Sequence, residues 1–174
     1  FSNAAQRTLA GSGCQNRYRY QPTRPRCRPR VNQTLLAFDY GTRKIGVAAG
    51  QDVTGTTQGI GTISTGSKRR QWDEIETLIR QWQPDSLVVG LPITGSGRES
   101  AMTIQARKFG EELEKRFDRT VYFVDETLTS DYADSMIRSS TGRGKRITPR
   151  RRAVRDMIAA ELILQTYLHE HTCS

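Results

Sequence analysis

The chain has 174 residues, with 27 Lys and Arg against 18 Asp and Glu, a formal charge of +9, 35% hydrophobic residues and three cysteines. This length suits one domain with an ordinary core, and no apolar run approaches the roughly 20 residues of a membrane span. Cys14, Cys27 and Cys173 lie in the first thirty residues or at the end of the chain; that placement argues against a disulfide framework and fits a reducing cytoplasm.

The charge is uneven. Residues 1–30 hold seven arginines and no acid, so from Val31 onward 20 basic residues face 18 acidic ones. This Arg- and Pro-rich segment shows no hydrophobic periodicity. It is expected to be a disordered basic tail, because it cannot bury enough apolar surface to offset its ordering entropy. A secretory leader is excluded by the lack of an apolar stretch, and the absence of acids is shared with organelle transit peptides. The preferred expectation is a remnant outside the native protein, with Val31 suited to an alternative start. No function is assigned to the tail, and residues 31–174 are read as the domain.

Thr34–Ala48 organises that domain. Leu35–Phe38 is a short apolar run closed by Asp39, followed by a Gly41-Thr42-Arg43-Lys44 turn and a second strand over Ile45–Gly50. A carboxylate that closes a buried strand beside a glycine either caps the turn or holds a cation. Gly59–Ser64 reads as a third strand, giving an antiparallel meander. In Arg69–Trp82 the apolar residues Trp72, Ile75, Leu78, Ile79 and Trp82 recur at helical spacing and define a core-facing stripe.

Pro84 ends that helix, and Ser86–Gly90 is the next buried strand. A loop containing Thr94-Gly95-Ser96-Gly97 leads to a helix over residues 98–117. Thr120–Val124 is the fifth strand, terminating in Asp125-Glu126, and another helix is expected over residues 130–137. Residues 138–155 carry Arg138, Arg143, Lys145, Arg146, Arg150, Arg151, Arg152 and Arg155 without an acid, and read as a basic linker whose middle is loop around Pro149. The last helix is expected over Val154–Leu168, with Asp156 in its first turn and Ala159, Leu162, Ile163 and Tyr167 toward the core. His169, His171 and Cys173 then form a polar end beyond it. The whole order implies an α/β mixed sheet of five strands, three antiparallel then two parallel, with helices on its faces.

Parallel strands of an α/β sheet present their carboxyl ends on one edge, where sites form. Asp39 and Glu126 end strands and Asp156 starts a helix, so three carboxylates can converge there. Such a group repels itself unless a cation neutralises it, and hard oxygen ligands select Mg2+ or Mn2+. Two such ions can activate water and stabilise the leaving oxygen of a phosphodiester. Singly the acids have plainer readings; Asp156 alone is an ordinary helix-start residue. The eight cations of residues 138–155, together with Arg43 and Lys44, suit phosphate contacts that ignore sequence.

Leu36–Ala48, Val88-Val89-Gly90-Leu91-Pro92, Val124-Asp125-Glu126-Thr127-Leu128-Thr129 and Asp156–Ala160 together resemble the YqgF (RuvX-like) nucleases of the RNase H-like superfamily. The resemblance runs from about Thr34 to Leu168. It implies an RNase H-like fold and a metal-dependent endonuclease, with Asp39, Glu126 and Asp156 as metal acids and Asp125 as the alternative to Glu126. It further implies a two-metal Mg2+ or Mn2+ site, trimming of the 5′ end of precursor 16S rRNA in the cytoplasm, and structured RNA as partner. Four-way DNA, cut by a Holliday junction resolvase, is the alternative substrate, and a catalytically silent RNA-binding factor is a third reading. Monomer or weak homodimer is expected. Thr127, Thr94 and Ser96 depart from the family's usual Arg, Asn and Asp, which bears on substrate contacts rather than on the metal acids. Asp39-Tyr40-Gly41-Thr42 also looks like the first phosphate loop of actin-like ATPases, but the chain is too short for the two halves of that fold.

Overall fold

The structure is a computed structural model that describes residues 32–92, 100–125 and 149–171, with side chains of the last segment from Arg152 onward. Five strands form one sheet: Thr34–Tyr40 (β1), Lys44–Gln51 (β2), Thr56–Ser64 (β3), Ser86–Leu91 (β4) and Thr120–Asp125 (β5). Their spatial order is β3-β2-β1-β4-β5, with β1, β2 and β3 antiparallel and β4 and β5 parallel to β1 and to each other. This is the mixed RNase H-like sheet expected above. Leu35–Phe38 and Ile45–Ala49 are buried throughout, because both faces of the sheet are covered and neither strand alternates with solvent.

Helices Lys68–Trp82 (α1) and Ala101–Phe117 (α2) cover one face, and Pro149–His171 (α3) covers the other. Trp72 and Ile75 of α1 join Phe109 and Leu113 of α2 over Leu36, Phe38, Ile45 and Val47. The Phe109 ring is 5.8 Å from Phe38 and 5.7 Å from Trp72, in the edge and stacked geometries that aromatic pairs favour. On the opposite face Ala160, Ile163, Leu164 and Tyr167 of α3 pack on Leu35, Ala37, Ala48, Val88 and Val124.

The helix ends follow local chemistry. Gln83, in the left-handed region at φ 43°, closes α1 by donating its N–H to the Ile79 carbonyl, and Pro84 cannot continue the helix. Ser100 caps α2, its hydroxyl accepting from the Thr103 N–H at 3.1 Å. At the amino end of β1, Asp52 Oδ1 accepts from Gln33 N at 2.7 Å and Asp85 Oδ2 accepts from Thr34 N at 2.8 Å. Those two acids anchor the strand at the end away from Asp39.

Several expectations need correction. Residues 149–155 are not linker: α3 begins at Pro149, since proline lacks the N–H that a first helical turn leaves unpaired and already has the helical φ. Asp156 therefore lies about two turns inside α3 rather than in its first turn. The helix also runs to His171, so His169 and His171 belong to it. The His171 ring stacks on Tyr167 at 4.3 Å, and its Nδ1 lies 3.0 Å from the Tyr167 carbonyl oxygen. Lys44 is the first residue of β2 rather than part of the turn, and β3 starts earlier than Gly59, at Thr56. The tail, the 94–97 loop, the expected helix at 130–137, Glu126 and the basic residues Arg138, Arg143, Lys145 and Arg146 lie outside the described residues.

Candidate active site

Asp39 is the penultimate residue of β1, the central strand, and pairs in register with Gly46 of β2. Strand alternation puts it on the face of Leu35 and Ala37, beneath α3. Gly46 faces the same way, and a Cβ there would overlap the carbonyl oxygen of Asp156. Farther out, a Cβ on Gly59 of β3 would lie 3.0 Å from the Met157 Cβ. The absent side chains let the backbone of α3 settle onto β2 and β3 at Asp156 and Met157. The helix thus delivers Asp156 to the end of the sheet where β1 delivers Asp39.

The electrostatics report the same convergence. The half-buried Asp39 carboxyl is pushed from 3.8 up to about 6, first by burial and then by the charge of Asp156, with Arg155 opposing. Asp156 is likewise raised by burial, against the opposing charges of Lys44 and Arg155. Two carboxylates in one partly desolvated place cannot both ionise cheaply. This donor set of carboxylate oxygens fits a hard divalent cation, whose charge would relieve both effects. Among the described residues no three His, Cys, Asp or Glu are gathered for a metal; the third expected acid, Glu126, lies outside them.

The alternative acid, Asp125, ends β5 and is exposed. It shares a face with Val121 and Phe123, which pack under α1 and α2, whereas Val124 lies under α3. Asp125 therefore stands on the face opposite Asp39.

The expected cations divide by position. Arg43 is exposed in the turn after β1, which is braced by Thr65: its Oγ1 donates to the Thr42 carbonyl at 2.7 Å and its N–H to the Arg43 carbonyl at 3.1 Å. Lys44 is half-buried and shares the α3 face with Gly46. Arg150 and Arg151 occupy the first turn of α3, and Arg152 and Arg155 are exposed one turn further on. What the sequence reading missed is the pair Gly46 and Gly59. Their signal was glycine inside a strand, which marks a close backbone approach.

A five-stranded sheet of this order, with one carboxylate closing its central strand and another on the helix above, defines an RNase H-like domain with an acidic site. Residues 33–170 match the RuvX family, described as a Holliday junction resolvase, and the chain belongs to that family. It is 41% identical over 139 residues to a protein of Aeromonas hydrophila named "Putative pre-16S rRNA nuclease", covering 80% of this chain and 96% of that one. A protein of Pseudomonas paraeruginosa with the same name is 44% identical over 137 residues, covering 79% and 92%. Among solved structures, Thermus thermophilus RuvC is similar with a TM-score of 0.44 and 12% identity, over 80% of this chain and 98% of that one.

Proposed function

We propose that the protein is a metal-dependent endonuclease that hydrolyses phosphodiester bonds in the 5′-end processing of precursor 16S rRNA, a step of ribosome biogenesis in the cytoplasm. One observation carries this reading: Asp39 and Asp156, distant in sequence, are brought to one end of one sheet face, where their charges oppose each other. Such an arrangement lowers stability unless it serves a cation. The names of the curated relatives supply the substrate class.

In this proposal Asp39, Asp156 and Glu126 hold Mg2+ or Mn2+ in an expected two-metal site. That Asp125 stands on the face opposite Asp39 supports its neighbour Glu126 as the third acid. The bound metal would supply a water of lowered pKa and charge stabilisation for the leaving oxygen. The protein's own part is to hold two acids at fixed separation, exclude bulk water from the Asp39 side, and present cations to the nucleic-acid backbone. Arg43, Arg143, Lys145, Arg146, Arg150, Arg151, Arg152 and Arg155 are proposed for those phosphate contacts, with Lys44 nearest the acids. α3 carries Arg150, Arg151, Arg152 and Arg155 ahead of Asp156, so phosphates bound there would lead into the site.

The family's description favours a second reading, cleavage of four-way DNA. The deciding experiment incubates the full chain and Asp39→Asn with a precursor 16S rRNA 5′ leader and with a four-way DNA junction, in Mg2+, Mn2+ or EDTA. Metal-dependent cutting of the RNA alone, lost in the variant, is the expected result. Cutting of the junction alone would replace the rRNA reading with the resolvase. Binding of both without cutting would remove the enzymatic reading.

A further inference from the structure

We infer that Lys44 belongs to the reaction centre: its ammonium holds a non-bridging oxygen of the phosphate being cleaved, whereas its neighbour Arg43 contacts only the flanking backbone. The inference rests on the phosphodiesterase reading and adds to it a cation at the scissile group.

Strand geometry separates the two neighbours. Lys44 opens β2 and is two residues from Gly46, so both lie on the face covered by α3. Gly46 carries the Asp156 backbone above it and pairs laterally with Asp39. Lys44 is thus one strand over from Asp39 and one alternation along β2 from Gly46, above which Asp156 sits. Its side chain is half-buried, while Arg43 is exposed in the turn. The same proximity appears in the opposing influence of Lys44 on Asp156.

Chemistry selects the role. Lysine presents a compact point charge on a flexible stem, suited to one oxygen of a phosphodiester rather than to a bidentate grip. Part burial strengthens its field over that of a fully solvated cation. Without a metal the ammonium offsets the charge of Asp156. With a divalent cation on the carboxylates, two positive groups share one place, and the anion that relieves them is the substrate phosphate. The residue therefore opposes metal binding in the free protein and favours charge stabilisation in the substrate complex. A diffuse backbone contact such as Arg43 has no reason to do both.

The test uses the full chain carrying Lys44→Met, Lys44→Gln or Arg43→Ala, with thermal midpoints confirming that each is folded. Calorimetric titration with Mn2+ in the absence of nucleic acid is expected to show tighter binding in both Lys44 variants, by roughly tenfold. Single-turnover cleavage at saturating substrate is expected to slow by roughly a hundredfold in the same variants, with the salt dependence of binding nearly kept. Arg43→Ala should instead raise KM and lower the salt slope. Weaker Mn2+ binding in the Lys44 variants, or Lys44 losses confined to KM and salt slope, overturns the inference while leaving the nuclease reading intact. Mn2+ binding by the native chain with neither substrate cut would remove the nuclease reading and this inference with it.

Discussion

The main chain of Asp156 rests on the Cα of Gly46, with no room for a side chain between them. This contact couples the packing of α3 to the placement of an acid at the site. Gly46→Ala is expected to push α3 off β2 and lower stability by about 1–3 kcal/mol, as overpacking generally does. Because Asp156 moves with the helix, Mn2+ affinity should fall as well. Urea unfolding and Mn2+ titration of the same variant check the two effects together. Lower stability with native metal affinity would mean that the helix adjusts without carrying Asp156 away.

Asp39 predicts a pH dependence of a definite sign. Its carboxyl is raised from 3.8 to about 6 in the folded protein, so the folded state holds the proton more tightly than the unfolded chain. Below about pH 4 Asp39 is protonated in both states and costs nothing. As pH rises through 6 the unfolded chain gains the advantage, and folding loses up to roughly 3 kcal/mol. In EDTA, Asp39→Asn should therefore be more stable than the native chain at pH 7.5, with the gap closing toward pH 4. Saturating Mn2+ should stabilise the native chain and leave the variant unmoved. Denaturant midpoints at the two pH values, with and without Mn2+, measure each arm.

Much of this was legible in the sequence because it lies in runs. Leu35–Phe38, Ile45–Ala49 and Ser86–Val89 declare buried strands by composition, and Trp72, Ile75 and Leu78 declare a helix by spacing. Asp39 was legible as the acid that closes such a run, and Asp156 as an acid ahead of an apolar helical stretch, but not its depth inside α3. The start of α3 was not, because Pro149 and a string of arginines look like loop until the proline is seen at the first helical position, where it is favoured. Nor was the division between Arg43 and Lys44. Adjacent cations after a turn are equivalent in sequence, and only the register of β2 puts one on the face of Asp39. The seat of α3 on Gly46 and Gly59 is a tertiary contact: glycine inside a strand marks a close backbone approach but does not say which element makes it.

His171 is expected to serve packing rather than metal. His171 stacks on Tyr167 at 4.3 Å, and Tyr167 packs on Tyr122 of β5 at 5.1 Å, tying the last turn of α3 to the edge of the sheet. His171→Ala should lower stability by about 0.5–1.5 kcal/mol, the range of an aromatic pair. Metal affinity should be unaffected, since His171 lies four turns of α3 from Asp156 by helix geometry, about 22 Å. Thermal unfolding and Mn2+ titration test this directly. A fall in metal affinity without loss of stability would contradict it.

Arg152 and Arg155 face solvent on α3 just ahead of Asp156, where a bound duplex arm would pass on its way to the acids. If each neutralises one phosphate, the double variant Arg152→Ala/Arg155→Ala should reduce the slope of log K against log salt by about 1.8 on a DNA junction, at 0.9 per B-DNA phosphate. The loss should be uniform across junction sequences, because backbone contacts carry no base information. Metal affinity is a useful contrast. Arg155 opposes the upward shift of both Asp39 and Asp156, so its loss removes a competing cation and should tighten Mn2+ binding even as nucleic-acid binding weakens. Salt titrations of binding in EDTA, paired with Mn2+ titrations of the free protein, separate these opposite effects. An unchanged salt slope would place the nucleic acid elsewhere on the molecule.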